Sequence, residues 1–223
     1  MKRRFVLSAM PAMLIALTGA TKKRKAAVKL PPARVLGDAY VLVQLDTAFG
    51  TILLQLDPAA PKTVANFMRY VDSGRYNGMT FYRSMHFQWG TEPNGLIQGG
   101  INSFPDRLLS PVPHEPTTLT GLSHTAGTIS MARNAPGTAR GDFFIMLADT
   151  LSFDADPKSA DPDSRAGYAA FGRVVVGMDI VRRIYDAPRS PTKGAGIMKG
   201  QMLDPVIKVP KVSEAIIESR KVG

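Results

Sequence analysis

The feature that most constrains this chain is the rhythm of its apolar runs, which from Tyr40 onward are short and repeatedly interrupted by Gly, Pro, Asn or Asp. Tyr40 to Thr47 and Thr51 to Pro58 are two partly alternating runs joined through Ala-Phe-Gly, the pattern of a β-hairpin. Further β-like runs follow at Met79 to Arg83, Leu96 to Gln98, Gly127 to Ala132, Phe143 to Leu147 and Ala169 to Val176, with a last strand expected at Val206 to Val209. Several lie too close together for crossover helices, so the sheet must be antiparallel. Only two segments carry helical spacing. Val64, Phe67, Met68 and Val71 recur at i, i+3, i+4 and i+7 between Pro61 and Gly74, and Met178, Val181, Ile184 and Tyr185 do so before Pro188. Val212 to Arg220 reads as a short surface helix or a tail. Many strands with two helices in one domain point to a mainly β fold, a closed barrel whose open ends the helices cover.

At 223 residues and 44% hydrophobic content, the chain suits one domain with a full core. It has no cysteine, which removes disulfides, thiol nucleophiles, thiolate metal sites and a lipoprotein anchor together. Compartment is therefore read from the N-terminus. Lys2, Arg3 and Arg4 precede an uncharged stretch, Phe5 to Ala20, ending in Thr18, Gly19 and Ala20. That is the layout of a secretory signal over residues 1–20 and implies a periplasmic or otherwise exported protein. The basic cluster behind it hinders translocation, so an uncleaved membrane anchor is the alternative. Eight positive charges (Lys2, Arg3, Arg4, Lys22, Lys23, Arg24, Lys25 and Lys29) lie in the first 29 residues, leaving only +2 of the net +10 for the rest. The basicity is therefore no nucleic-acid signature. Residues 21–38 read as a basic disordered linker capable of weak membrane-surface contact, 39–210 as the folded domain and 211–223 as a C-terminal tail.

Specific residues then take over. Pro61-Lys62-Thr63-Val64-Ala65-Asn66-Phe67 is followed by Tyr76-Asn77-Gly78-Met79-Thr80-Phe81-Tyr82-Arg83. Downstream come Ile97-Gln98-Gly99-Gly100, Gly127-Thr128-Ile129-Ser130-Met131-Ala132-Arg133, Phe143-Phe144-Ile145 and Phe171-Gly172-Arg173-Val174-Val175. In this order the blocks resemble the cyclophilins, over roughly Tyr40 to Val209, and ordered blocks are far more specific than a lone motif. The resemblance implies an eight-stranded antiparallel barrel capped by two helices that isomerises X-Pro bonds on its outer face without a cofactor. His86, His114 and His124 form no metal or triad motif, and a monomer is expected. Its partners would be proline-containing polypeptides. By the family pattern Arg83 falls on the catalytic arginine, an exposed side chain, and Gln98 on the glutamine beside it. Phe144 falls on the floor of the proline pocket, and Leu96, Met131, Ala132, Phe153 and Tyr168 on pocket or near-pocket positions. Arg133 and Asn134 would lie along the bound peptide.

The sequence also departs from that pattern. Fourteen residues separate Arg83 from Gln98, about twice the family's gap, so an insertion sits beside the site. Gly95 stands where a pocket phenylalanine is usual, Asp142 where a glutamine is, and Ser152 where an aromatic is. Asp142 is expected to pair with Arg83, either holding the guanidinium or competing with substrate for its donors. These departures keep open a second function, a proline-segment binding module or holdase of the same fold with little turnover. The insertion contains Met85, Phe87 and Trp89, the only tryptophan. They either anchor the loop on the barrel or contribute to the substrate pocket. Asp154, Asp156, Asp161 and Asp163 lack the ligand spacing of a calcium loop and read as a solvated turn.

Overall fold

A computed structural model describes residues 40–101 and 103–215. The leader 1–20, the basic linker 21–38 and residues 216–223 lie outside the described residues. Nine strands form one antiparallel sheet: β1 (Val41–Thr47), β2 (Gly50–Leu56), β3 (Met79–His86), β4 (Gly95–Gly100), β5 (Thr128–Met131), β6 (Phe143–Met146), β7 (Ala170–Val176), β8 (Met202–Val209) and β9 (Lys211–Glu214). Their order is β8-β3-β4-β6-β5-β7-β2-β1-β9. The two outermost strands, β8 and β9, are consecutive in the chain and are separated by Pro210 alone. Proline has no N–H to give a ladder, so the last strand breaks there; one half pairs with β3 and the other with β1. The Ala48 amide reaches the Lys208 carbonyl at 3.1 Å across the same seam. The barrel is thus closed by one bent segment, and counting β8 and β9 together returns the eight strands expected. The tail boundary at 210 is corrected: Lys211–Glu214 belongs to the barrel, and the helix considered from Val212 is a strand over its described part.

Helices α1 (Pro61–Asp72) and α4 (Met178–Tyr185) have the expected bounds, while α2 (Thr117–Thr120) and α3 (Pro162–Ala166) are single turns. Helix α1 has no side-chain cap of its own at Ala60. Buried Glu115 supplies one from afar, accepting from the Lys62 amide at 3.2 Å, the Thr63 amide at 2.7 Å and the Thr63 hydroxyl at 2.7 Å. A carboxylate against the first amides of a helix complements its positive end. Phe67 of α1 packs on Phe143 and Phe171 with ring centres 5.4 and 5.2 Å apart, so α1 buries its apolar face directly on the barrel interior. Ile180, Val181, Ile184 and Tyr185 of α4 are buried against β2, β3 and β4.

Strand alternation divides the apolar residues into two sets. Phe143 and Ile145 of β6 enter the main core with Phe81 and Ile97. Phe144 and Met146 turn the other way and form a separate cluster with Leu96. This second cluster sits on the outside of the barrel, where the site lies.

Candidate active site

Strand β3 delivers two successive side chains to one place. Its pairing with both β4 and β8 slips between Phe81 and Arg83, so Phe81 opposes Gly99 while Arg83 opposes Gln98. Tyr82 is the extra residue of this β-bulge. A regular strand would send Tyr82 and Arg83 to opposite faces; the bulge lets both reach the Gln98 amide. The arginine that the sequence suggests is exposed is in fact only 8% exposed. Burial draws its pKa below the ordinary guanidinium value, with the Tyr82 and Tyr168 side chains acting the other way. The ordinary value is so far above neutrality that the group keeps its charge.

Arg83 is held by three neutral groups. Its Nε donates to Gln201 Oε1 at 2.8 Å, one terminal nitrogen to Gln98 Oε1 at 2.9 Å and the other to Met85 Sδ at 3.0 Å. Gln98 Nε2 donates to the Tyr82 hydroxyl at 2.7 Å, and Tyr82 donates to Asp142 Oδ2 at 2.9 Å. The proton positions follow by elimination, because a guanidinium only donates and a carboxylate only accepts. Gln98 must present its oxygen to Arg83, its NH2 must face Tyr82, and the Tyr82 proton must point at Asp142. Burial, followed by the Asp142 charge, pushes the Tyr82 phenol well above its ordinary value, so it stays a donor. The direct Arg83–Asp142 pair expected from the sequence does not form. Asp142 accepts from Tyr82 and from the Ile101 amide at 2.8 Å, and is linked to Arg83 through Tyr82 and Gln98.

A guanidinium carries five N–H groups. Three are engaged, which leaves two without a partner among the described residues, beside an apolar patch. Leu96 and Phe144 are each 3% exposed there, and Ala132, Phe153, Tyr168, Met85 and Phe87 pack on them. The Phe144 ring stands edge-on to Phe153 at 5.8 Å and to Tyr168 at 5.4 Å, giving two walls and a floor.

His124, which no sequence motif marks, backs this pocket. Fully buried, it lies near-parallel to Phe144 with ring centres 6.1 Å apart. Its Nδ1 donates to Asp154 Oδ1 at 2.6 Å, and its Nε2 takes the Ser130 hydroxyl at 2.9 Å. Desolvation lowers its pKa and Asp154 opposes the shift, so the ring is neutral with the proton on Nδ1.

Three other expectations are corrected. Met131 points into the main core, because Ser130 opposes Phe144 in the β5–β6 ladder and takes the outward position. Arg133 does not lie free along a peptide path. Its guanidinium stacks over Tyr168 at 4.7 Å and binds Asp163 Oδ1 at 2.8 Å and the Gly167 carbonyl at 2.8 Å, which makes it a brace for that wall. Gly95 is not a vacated aromatic position. Its φ is +142°, and a Cβ there would lie 1.9 Å from the Met85 carbonyl oxygen, so no side chain fits. Asn134 is exposed beyond Arg133. The acidic loop is used locally, with Asp154 on His124, Asp161 capping α3 through Ser164 and Asp163 on Arg133.

Residues 41–207 match the family described as cyclophilin type peptidyl-prolyl cis-trans isomerase/CLD. A peptidyl-prolyl cis-trans isomerase of Acinetobacter baylyi is 36% identical over 157 residues, covering 68% of this chain and 76% of that protein. The peptidyl-prolyl cis-trans isomerase cyp18 of Streptomyces antibioticus is 37% identical over 158 residues, covering 68% of this chain and 87% of that protein. The crystal structure of a Cryptosporidium parvum cyclophilin type peptidyl-prolyl cis-trans isomerase shares the fold with a TM-score of 0.59 at 19% identity, covering 81% of this chain and all of that one.

Proposed function

Because this chain belongs to the cyclophilin-type peptidyl-prolyl cis-trans isomerase family, we propose that Arg83 drives its X-Pro isomerisation and that its substrates are exported polypeptides. Resonance gives the amide C–N bond double-bond character and a rotation barrier of about 18–20 kcal/mol, so X-Pro bonds interconvert over tens to hundreds of seconds. As the bond twists, the prolyl nitrogen becomes pyramidal and its lone pair localises. An N–H of Arg83 donates to that lone pair and weakens the resonance, while Phe144, Leu96 and Phe153 hold the proline ring still. No bond breaks and no proton is transferred. The donor is matched to the twisted state, in which the lone pair is available, so it lowers the barrier rather than merely binding substrate.

The observation that carries this reading is the pair of unengaged Arg83 N–H groups beside the apolar cluster, in a guanidinium already aimed by Gln98 and Gln201. The holdase alternative rested on Gly95, Asp142 and Ser152; of these, Asp142 accepts from Tyr82 and the Ile101 amide, and the backbone at Gly95 leaves no room for a side chain. Export is supported by the charged start, the uncharged Phe5 to Ala20 stretch and its small-residue end. A protease-free isomerisation assay on a short Ala-Pro peptide tests turnover. Acceleration at enzyme concentrations far below substrate is expected, and none from micromolar folded protein would overturn the enzyme reading. Mass spectrometry of the cell fraction tests export: a chain beginning at Thr21 is expected, and an intact Met1 in the membrane fraction would overturn cleavage.

A further inference from the structure

The insertion between β3 and β4 contains two aromatic residues that do different jobs. Its base is fastened to α4. Tyr185 donates to Glu92 Oε2 at 2.7 Å, Glu92 also takes the Asn94 amide at 3.0 Å, and His86 stacks on Tyr185 with ring centres 3.7 Å apart. The Phe87 amide closes the loop on the Asn94 carbonyl at 3.1 Å. From this base Phe87 packs into the outer apolar cluster, 5.8 Å from Phe153. Phe87 is the anchor. Trp89 then lies flat on Phe87, with ring centres 4.8 Å apart and planes within 11°, and remains 56% exposed. One indole face is therefore already covered, and the other contributes nothing to holding the loop. A large aromatic ring left facing water beside a peptide-binding cluster needs a reason.

Resting on the reading of the proline pocket given above, we propose that Trp89 forms a second side-chain subsite, which takes an aromatic side chain of the same client segment. Rings continue without a break from Phe144 through Phe153 and Phe87 to Trp89. An extended chain rises about 3.3 Å per residue, so steps of roughly one ring each place the indole within about five residues of the bound proline. Ser152, at the position where the family carries an aromatic, is exposed and supplies no wall of its own. The insertion brings an aromatic surface back by another route, and farther from the proline. A flat apolar face on a fastened loop favours an aromatic partner, which stacks at little cost in conformational freedom.

The test compares isomerisation of peptides with one Ala-Pro bond that carry Phe at each position within five residues of proline, in turn, with the all-Ala parent and Lys counterparts. The wild-type protein should prefer one Phe peptide by about fivefold in kcat/KM, mostly through KM, the range expected of one aromatic pair. Trp89→Ala should reduce that ratio to near one. Fluorescence of the sole tryptophan should shift with the preferred Phe peptide and not with the parent. If Trp89→Ala fails to fold, the wild-type preference and the fluorescence decide alone. No Phe preference, a Lys preference, an unmoved fluorescence or a preference retained in a folded Trp89→Ala protein would each overturn the subsite. Failure to accelerate any of the peptides would instead overturn the enzyme reading.

Discussion

Arg83, Gln98 and Phe144, each marked by its own local run, are held in place by side chains from other elements. Gln201 meets Arg83 across 118 residues, and no motif marks it. Tyr82 gains a role only because a bulge turns it to the same side as Arg83, and hydrophobic alternation cannot show a one-residue slip. His124 was equally silent, since burial between Phe144, Tyr168, Asp154 and Ser130 is a property of packing. That burial has a measurable result. The folded-state pKa of His124 is lowered, chiefly by desolvation and against the pull of Asp154. The unfolded chain, with an ordinary imidazole near 6.5, takes up the proton first as pH falls. Stability is thus complete above about pH 6.5 and declines as pH drops through that value toward the folded pKa. Urea unfolding at pH 7.5 and 5.5 should show wild-type protein losing stability at the lower pH, and a folded His124→Gln variant losing less. An equal loss in both would assign the acid sensitivity to other groups.

Among the elements, the start of α1 and the whole of α4 were readable because the 3.6-residue period agrees with Pro61 and Gly74 around the first and with Pro188 after the second. Strand cores were readable too. Strand ends were not: β3 runs on to His86 and β4 begins at Gly95, because the inserted loop continues their pairing beyond the apolar runs. The cap of α1 escaped the sequence for a similar reason, as Glu115 lies more than 50 residues from the amides it accepts. Removing it leaves the Lys62 and Thr63 amides and the Thr63 hydroxyl without their acceptor. Glu115→Ala should cost about 2 kcal/mol, within the range for a lost cap and unpaired buried donors. For a domain of this size that corresponds to a fall in Tm of roughly 4–8 °C. A change below about 1 °C would show that water replaces the carboxylate there.

At the scale of the whole molecule, antiparallel closure followed from strand spacing, while the means of closure did not. A strand broken at Pro210, pairing with one sheet edge before it and the other edge after it, looked from the sequence like a strand and then a tail. The barrel matters to function because it fixes β3, β4 and β6 side by side. It thereby presents Arg83, Gln98 and Phe144 together on one outer face while Phe81, Ile97 and Phe143 fill the interior. The central claim is that this arrangement makes Arg83 the donor that lowers the rotation barrier. Exchange NMR on an Ala-Pro peptide, with wild-type and Arg83→Ala proteins compared at equal concentration, measures it directly. Because Arg83 is buried, circular dichroism must first establish that the variant is folded, with Arg83→Lys as the second variant should it not be. The expected result is a loss of at least about tenfold in kcat/KM, equivalent to ~1.4 kcal/mol of transition-state stabilisation. A folded variant that exchanges the peptide as fast as wild type would contradict it.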